Sequence, residues 1–364
     1  MKKIYINGRF LTQPITGVQR YSRELLGALD EMIDTGEIDA RNHEIICLVP
    51  KSLQEFPAWN HIQIKPVGTL HGNLWEQFVL PFFVKDGILF SPANIGPYFV
   101  NGQIVTMHDA SVFAVPDAYS WSFRLKYRII LKHLGKTAKK IITVSEFSKK
   151  ELIKYCKIDP EKIDVIPHGH EHLLRTKPDP TIISKYDLDQ KAYYLVVGSN
   201  SPHKNLRVVF EAIKLIPNPE FNLVIAGGSF DKVFSKQAVD LPKNVINVGY
   251  VTDSELRSLY EHAEVFIFPS KYEGFGLPIL EALSFGCPVI SSNAASLPEV
   301  GGEMVTYFDP DDAKGLANAI NNFSIIDQIG RRDLFDLKFK WYKCTSETWN
   351  IIRNNNRQFL NVSN

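Results

Sequence analysis

Short apolar runs alternate with amphipathic stretches along almost the whole chain. "KIYI" near the start reads as a strand, and "GVQRYSRELLGALDEMI" reads as a helix with Val18, Leu25, Leu26 and Leu29 on one side. "HEIICLVP", "GILFSP", "IVTMHD" and "KIITVSE" are further strands, each closed by a polar residue or proline. The rhythm lapses over 171–190, where "EHLLRTKPDPTIISKYDLDQ" carries Pro178, Pro180 and several charges and is predicted to be a linker. It restarts with "AYYLVVGS", "FNLVIAGG", "VINVGYV", "AEVFIFPS", "PVISS" and "MVTYF" as strands, with helices opening near Asn205, Asp253 and Leu277. The tail "FKWYKCTSETWNIIRNNNRQF" has aromatics at helical spacing. This βαβ rhythm predicts an α/β chain of two doubly wound, mostly parallel sheets over 1–170 and 191–338, with a terminal helix over 339–364. Two such domains facing each other enclose a cleft at the carboxyl ends of the strands, where open α/β sheets bind ligands.

Composition narrows the class. A length of 364 residues suits two domains, and 45% hydrophobic with 22% charged residues is ordinary for a globular chain. The net charge of +1 gives no general attraction to nucleic acid or membranes, so any basic surface is local. Cys47, Cys156, Cys287 and Cys344 show no CxxC or Cys/His spacing. They read as reduced thiols of a cytoplasmic protein, with Cys47 and Cys287 in the core. "MKKIYINGRF" is too short for a signal peptide, and no apolar run approaches the ~18–20 residues of a spanning helix.

The candidate chemistry sits just after the strands. Gly17 stands directly before a helix, as a turn glycine or as a point of close ligand approach, with Arg9 and Arg20 flanking the loop as anion ligands or surface charge. His108 and Asp109 end a strand, either facing a cleft or forming a capped turn around a buried histidine. "SNSPHKNL" places His203 and Lys204 before Asn205, a candidate helix cap. In "FIFPSKYEGFGLPILEALSFGCPVISS", Gly274 and Gly276 leave no Cβ in a ligand's way, and Pro278 and Gly286 suit the helix start and end. Free N–H groups around Phe275 to Leu277 would receive an anion or sugar hydroxyls. Glu273 in the loop would accept bonds from hydroxyls. Glu281 is expected in the first helical turn, where it either gains ~0.3–1 kcal/mol from the helix dipole or clamps a diol such as a ribose. An anion site with two hydroxyl-binding carboxylates suits a sugar carried on a nucleotide diphosphate.

"EGFGLPILEA", with its Glu-x7-Glu spacing at Glu273 and Glu281, closely resembles the donor-site signature of retaining glycosyltransferases of family 4, which have the GT-B fold of two facing Rossmann-like domains. "TGVQRYSRELL", His108–Asp109, "VSEFSK", "VIPHG", "SPHKNL" and "FKWYKCTSETWN" look like further landmarks in family order, so the resemblance spans nearly the whole chain. It implies catalytic roles for His108, Lys204 and Glu273: beside the transferred sugar, against the diphosphate charge, and on sugar hydroxyls. It implies donor binding by Ser199, His203, Val251, Gly274, Phe275, Gly276, Leu277 and Glu281, the last on the ribose, and by Gly17, whose backbone contacts the donor diphosphate or lies beside the acceptor. It also implies a terminal helix from about Trp341 that crosses back to the first domain. Ser199 or Ser201 stands where some relatives carry arginine, and His203 where many do. The clamp on the diphosphate then rests on Lys204, alone or with Arg9 or His203.

By the same resemblance, a hexose passes from a nucleotide-diphosphate sugar to a glycan or lipid-linked oligosaccharide in surface-polysaccharide (O-antigen-like) synthesis. Configuration is retained and no metal or other cofactor takes part. GDP-mannose is the first expected donor; UDP-glucose, UDP-N-acetylglucosamine and deoxysugar nucleotides remain open. Two Asp-x-Asp triplets, Asp187-Leu-Asp189 and Asp309-Pro-Asp311, are potential metal ligands, though Asp311 or Asp312 is more simply a helix cap. Residues Trp121–Lys140 interleave aromatics with Arg124, Lys126, Arg128, Lys132, Lys136, Lys139 and Lys140 and carry no acid. They suit peripheral contact with anionic lipid at the inner membrane face, or a solvated helix packed on its own sheet. The rivals are a nucleotide-sugar epimerase or hydrolase and a non-catalytic scaffold subunit.

Overall fold

The computed structural model describes residues 1–199, 201–228, 244–323 and 338–356. The chain forms two compact units, Met1–Gly169 with Phe339–Asn364, and His170–Lys338. The first contains β1 (Lys2–Asn7), α1 (Gly17–Asp34), β2 (His43–Pro50), β3 (Gln63–Val67), α2 (Gly72–Phe78), β4 (Gly87–Ser91), β5 (Ile104–Thr106), α3 (Ser111–Ala114), α4 (Trp121–Thr137), β6 (Lys140–Thr143), α5 (Glu146–Cys156) and β7 (Ile163–Val165). The second contains α6 (Thr181–Lys185), β8 (Tyr193–Val197), α7 (Leu206–Lys214), β9 (Asn222–Ala226), β10 (Val245–Gly249), α8 (Asp253–His262), β11 (Val265–Phe268), α9 (Leu277–Ser284), β12 (Val289–Ser292), α10 (Leu297–Gly301), β13 (Val305–Phe308) and α11 (Ala313–Asn321). The chain then returns to the first unit with α12 (Trp341–Asn356).

Both sheets are parallel, as the alternating pattern requires. Their strand orders are β3-β2-β1-β4-β5-β6-β7 and β10-β9-β8-β11-β12-β13. Side-chain alternation feeds a core on each face. In β1, Ile4 and Ile6 join the cluster under α1 and α12, while Tyr5 joins the cluster beside α2. In β8, Tyr193 and Leu195 pack toward α8 and α9, and Tyr194 and Val196 toward α7 and α11. β3 escaped the hydrophobic pattern because it is an edge strand whose Gln63, Lys65 and Pro66 are exposed.

The segment 171–190 is not a free linker. Leu173, Ile182, Ile183 and Leu188 are buried in the second unit's core, and Arg257 donates to the Leu174 and Thr176 carbonyls. Its prolines and charges lie between these anchors, which hid their apolar content. All four cysteines are buried, and burial pushes the Cys156 and Cys287 thiols up to about 12.

Within the first unit α12 lies along α1, with Thr345 Oγ1 donating to the Leu25 carbonyl at 3.3 Å. The end of "VIPHG" meets the start of α12 closely: a Cβ on Gly169 would lie 2.2 Å from the Trp341 nitrogen. Gly169→Ala is therefore expected to destabilise the protein by ~1–3 kcal/mol in urea unfolding, through backbone displacement at this contact. An unchanged midpoint would show that α12 has room to shift.

Candidate functional site

Strand order reverses in the second unit between β8 and β11, and the loops leaving their carboxyl ends diverge there. Three contacts join these two loops. The His203 carbonyl accepts from the Lys271 N–H at 2.7 Å. Asn205 Nδ2 donates to the Pro269 carbonyl at 3.1 Å, and it also reaches the Pro310 carbonyl beyond β13 at 2.7 Å. Lys204 Nζ donates to Glu273 Oε1 at 2.6 Å, with both side chains about one-fifth exposed or less (21% and 15%). Lys204 Nζ also stands 5.5 Å from the Phe268 ring centroid.

Asn205 thus differs from the expected side-chain cap. It occupies the N-cap position of α7 in the left-handed region, φ +56°, and its amide clips neighbouring loops instead of capping the helix. Asparagine tolerates that backbone better than most residues.

The loop 269–276 is pinned from beneath. Ser296, fully buried, directs its hydroxyl at the Glu273 carbonyl (2.9 Å) and the Phe275 carbonyl (2.7 Å), which share its single proton. Of the two loop glycines, Gly276 is the one whose backbone demands glycine. Its φ is +110°, and a Cβ would lie 2.7 Å from the Leu297 side chain. Gly276 is the N-cap of α9, followed by Leu277 and Pro278 in the first turn. The first helical N–H, that of Leu277, has no backbone partner among the described residues. Phe275 and Leu277 are buried, Gly274 is buried beside them, His203 and Val251 are half-buried, and Ser199 is exposed.

Glu281 falls at the fifth position of α9, in its second turn rather than its first, so the helix-dipole explanation loses most of its force. The carboxylate is buried, 7% exposed, and each oxygen has a protein donor. His172 Nε2 lies 3.0 Å from Oε1, and the Tyr260 hydroxyl donates to Oε2 at 3.1 Å. Burial, then the charge of Glu281, raises the Tyr260 phenol well above its ordinary value, so it remains a donor.

In the first unit His108 is buried (5% exposed). Its backbone N–H donates to Asn94 Oδ1 at 2.8 Å, and Nε2 faces the Pro92 carbonyl at 3.1 Å. A carbonyl only accepts, so Nε2 carries the proton and Nδ1 holds the ring's lone pair. Asp109 Oδ1 accepts from the Ser111 N–H at 2.8 Å, completing the capped-turn alternative. Tyr21, one turn beyond Gly17 on α1, meets the His108 ring edge-on at 4.7 Å and the His168 ring at 4.9 Å. Gly17 is exposed, and a Cβ there meets nothing within 4 Å.

Arg9 is neither a surface charge nor an open anion ligand. It is 4% exposed, and its Nε donates to Glu76 Oε1 at 3.0 Å, an oxygen that also accepts from Asn7 Nδ2. Loop burial behind β1 decides this, and it removes Arg9 from the expected phosphate clamp. Arg20 lies 3.9 Å from Glu24 on the same helix. The Asp-x-Asp triplets are likewise engaged. Asp311 pairs with Lys271, Asp312 caps α11 through the Gly315 N–H at 2.9 Å, and Asp189 accepts from Gln190 at 3.2 Å. No group of three or more potential metal ligands occurs among the described residues.

The basic helix α4 divides into two faces. Ile130, Leu131 and Leu134 are buried on the sheet, whereas Trp121, Leu125 and Ile129 at four-residue spacing are 68%, 44% and 52% exposed. Two lysines beyond it are committed elsewhere: Lys139 donates to the Asn355 carbonyl at 2.8 Å, and Lys140 pairs with Asp164 at 3.1 Å. No described helix is long and apolar enough to cross a membrane.

Lys204, His203, Glu273 and the 274–277 backbone therefore form one constellation. Glu281 has its own partners, and Gly17 and His108 belong to the first unit. His172, Tyr260, Ser296 and Tyr21 were missed as site residues. His172 lies in the segment expected to be a linker, nothing in the sequence sets Tyr260 and Tyr21 apart from other helix aromatics, and a lone serine such as Ser296 carries no pattern.

This is the architecture of a GT-B glycosyltransferase. The solved sucrose-phosphate synthase from Thermosynechococcus elongatus superposes with a TM-score of 0.73 over 97% of this chain and 99% of its own, at 19% identity. Residues 179–332 match the family described as glycosyl transferases group 1, and 101–172 match glycosyltransferase family 4. The O-antigen chain mannosyltransferase B of Escherichia coli is 31% identical, over 93% of this chain and 96% of its own length. The O-antigen chain mannosyltransferase RfbU of Salmonella typhimurium is 32% identical, over 87% and 90%. The chain belongs to the family-4 glycosyltransferases and is an enzyme of that class.

Burial pulls the His108 imidazole down to about 4, against the opposing effect of the Pro92 carbonyl. The folded state prefers the neutral ring. The resulting stability is present above about 6.5 and is lost as pH falls toward about 4. Urea unfolding of the wild type is expected to be steeper in pH over this window than that of His108→Gln, by at most about 1.4 kcal/mol per pH unit. Identical slopes would mean that the ring takes up its proton within the fold.

Proposed function

We propose that this enzyme transfers mannose from a nucleotide-diphosphate sugar, GDP-mannose first, to an O-antigen-like glycan, with retention of configuration and without a metal. UDP-glucose, UDP-N-acetylglucosamine and deoxysugar nucleotides are the alternative donors. The reading is carried by the Lys204–Glu273 pair, an ammonium and a carboxylate held 2.6 Å apart at the strand-order reversal beside the start of α9. The names of the Escherichia coli and Salmonella relatives support the sugar and the acceptor class.

In this reading the diphosphate draws Lys204 from Glu273 and settles against the Leu277 N–H. Glu273 and the backbone of Gly274, Phe275 and Gly276 then take the sugar hydroxyls. Ser199, His203 and Val251 flank the nucleotide and Glu281 accepts from the ribose. Gly17 admits the ligand to the start of α1, which explains a glycine that no protein atom demands. The neutral His108 ring lies by the transferred sugar. The bond from the anomeric carbon to the phosphate oxygen breaks, and its electron pair leaves with the diphosphate, whose charge Lys204 balances. The acceptor oxygen bonds to the same face, and its proton passes to a leaving phosphate oxygen. No side-chain nucleophile takes part.

Lys204→Ala is expected to lower kcat by ~10²–10³. Glu273→Ala is expected to abolish transfer while nucleotide binding persists in a thermal-shift assay, and excess chelator is expected to leave the wild-type rate unchanged. Nucleotide release that ignores the glycan, or activity lost in chelator and restored by a divalent ion, would overturn the reading.

The same proposal places the enzyme at the inner membrane face, extending a lipid-linked acceptor. Support comes from the exposed Trp121, Leu125 and Ile129 stripe flanked by Arg124, Lys126, Lys132 and Lys136. Flotation with anionic liposomes is expected to carry the wild type and to lose the Trp121→Ser/Leu125→Ser/Ile129→Ser variant. Equal flotation of the two would remove α4 as the contact.

A further inference from the structure

We propose that His172 and Tyr260 are positioning residues that aim Glu281 at both hydroxyls of a ribose, so that the enzyme selects ribonucleotide over 2′-deoxyribonucleotide donors. This rests on the reading of α9 as the donor site.

Three separate parts of the second unit converge on one carboxylate. Glu281 comes from α9, Tyr260 from α8, and His172 from the residues that follow the chain's entry into the unit at His170. Their exposures are 7%, 0% and 4%. Around Glu281 the helix is otherwise apolar, with Ile279, Leu280 and Ala282 fully buried. A carboxylate set in such surroundings is costly unless its lone pairs are filled.

An ionised carboxylate has about four acceptor sites, two on each oxygen. The protein fills one on Oε1 through His172 Nε2 and one on Oε2 through the Tyr260 hydroxyl. One site per oxygen remains. A vicinal diol supplies two O–H donors at the spacing of two oxygens on one carbon, so a ribose completes the set. The two protein donors also hold the carboxylate plane from opposite oxygens, and rotation about the last side-chain bond would break both. A pentose lacking the 2′-hydroxyl leaves one acceptor unfilled in a site already removed from water. Such a vacancy discriminates more strongly than a missing apolar contact. Of the deoxysugar nucleotides, those carried on a 2′-deoxyribonucleotide such as dTDP are therefore disfavoured, and GDP- and UDP-sugars are retained.

The test is titration calorimetry of the full-length protein with GDP, 2′-deoxy-GDP, UDP and 2′-deoxy-UDP. The two bases keep a wrong base assignment from hiding a pentose preference. The proteins are the wild type, Glu281→Ala, Tyr260→Phe, His172→Ala and His172→Gln, each checked for a cooperative melt. The wild type is expected to prefer the ribonucleotide by roughly 10- to 100-fold. Glu281→Ala abolishes that preference. Tyr260→Phe and His172→Ala reduce it to within a few-fold of Glu281→Ala, while His172→Gln, which keeps an N–H donor, restores most of it. Donor KM rises in Tyr260→Phe and His172→Ala with kcat at saturation nearly unchanged.

A wild type indifferent to the 2′-hydroxyl overturns the inference. If Glu281→Ala keeps the ribose preference, α9 does not hold the pentose, and the donor-site reading falls with the inference. If Glu281→Ala loses the preference but Tyr260→Phe and His172→Ala keep it, the donor-site reading stands and the positioning role alone is refuted.

Discussion

One charge pair organises the second unit's site. Lys204 leaves the end of β8, Glu273 leaves the end of β11, and the reversal of strand order between them gives their loops room to face each other. The two charges neutralise each other in a partly desolvated place, where a charge-assisted bond is stronger than on an open surface. Lys204 lends itself to exchange, because an ammonium turns readily from one acceptor to another. In the proposed reaction a diphosphate that engages Lys204 frees Glu273 for sugar hydroxyls in the same event. Recognition of the leaving group and of the sugar are then linked through a single 2.6 Å contact.

That contact has meaning only if the loops do not drift. Asn205, the His203 carbonyl and Ser296 supply the restraint, each by binding backbone rather than side chains. Backbone anchors fix the chain's path and leave charged side chains free to change partners. The first unit treats its charged groups differently. Arg9 and Glu76 are almost fully buried and share their bonds with Asn7, which makes them a brace for the loop after β1. Undoing that pair would strand two buried charges, so it does not serve as a ligand exchanger.

Much of this was legible in the sequence, for a physical reason. Parallel strands buried on both faces read as short apolar runs, and a proline and glycine bracketed α9 accurately. Strand ends directed attention to Lys204, Glu273 and His108, and the structure brings the first two into contact. What remained hidden depends on contacts distant in sequence. His172 meets Glu281 across 109 positions, and no local pattern announces it. Arg9 looked available because Glu76 lies 67 positions away. Lys139 and Lys140 looked like part of a lipid-facing run until the Asn355 carbonyl and Asp164 were seen to hold them. Charge in sequence is a poor guide to charge at a surface, because one distant partner cancels it.

The two units also differ in what they offer electrostatically, and the proposed chemistry accounts for that difference. Negative charge grows on a departing diphosphate, and a preorganised cation there lowers the barrier. Positive character grows on the sugar, and a cation beside it would raise the barrier. In the proposed reaction Lys204 would supply the first. His108 would meet the second by remaining neutral, since burial takes its imidazole down to about 4 and Nε2 is committed to the Pro92 carbonyl. An imidazole in water near neutrality would be charged part of the time. The apolar packing of Tyr21 against the His108 ring thus has an electrostatic consequence, because the desolvation that stabilises the fold also holds the ring in its uncharged form.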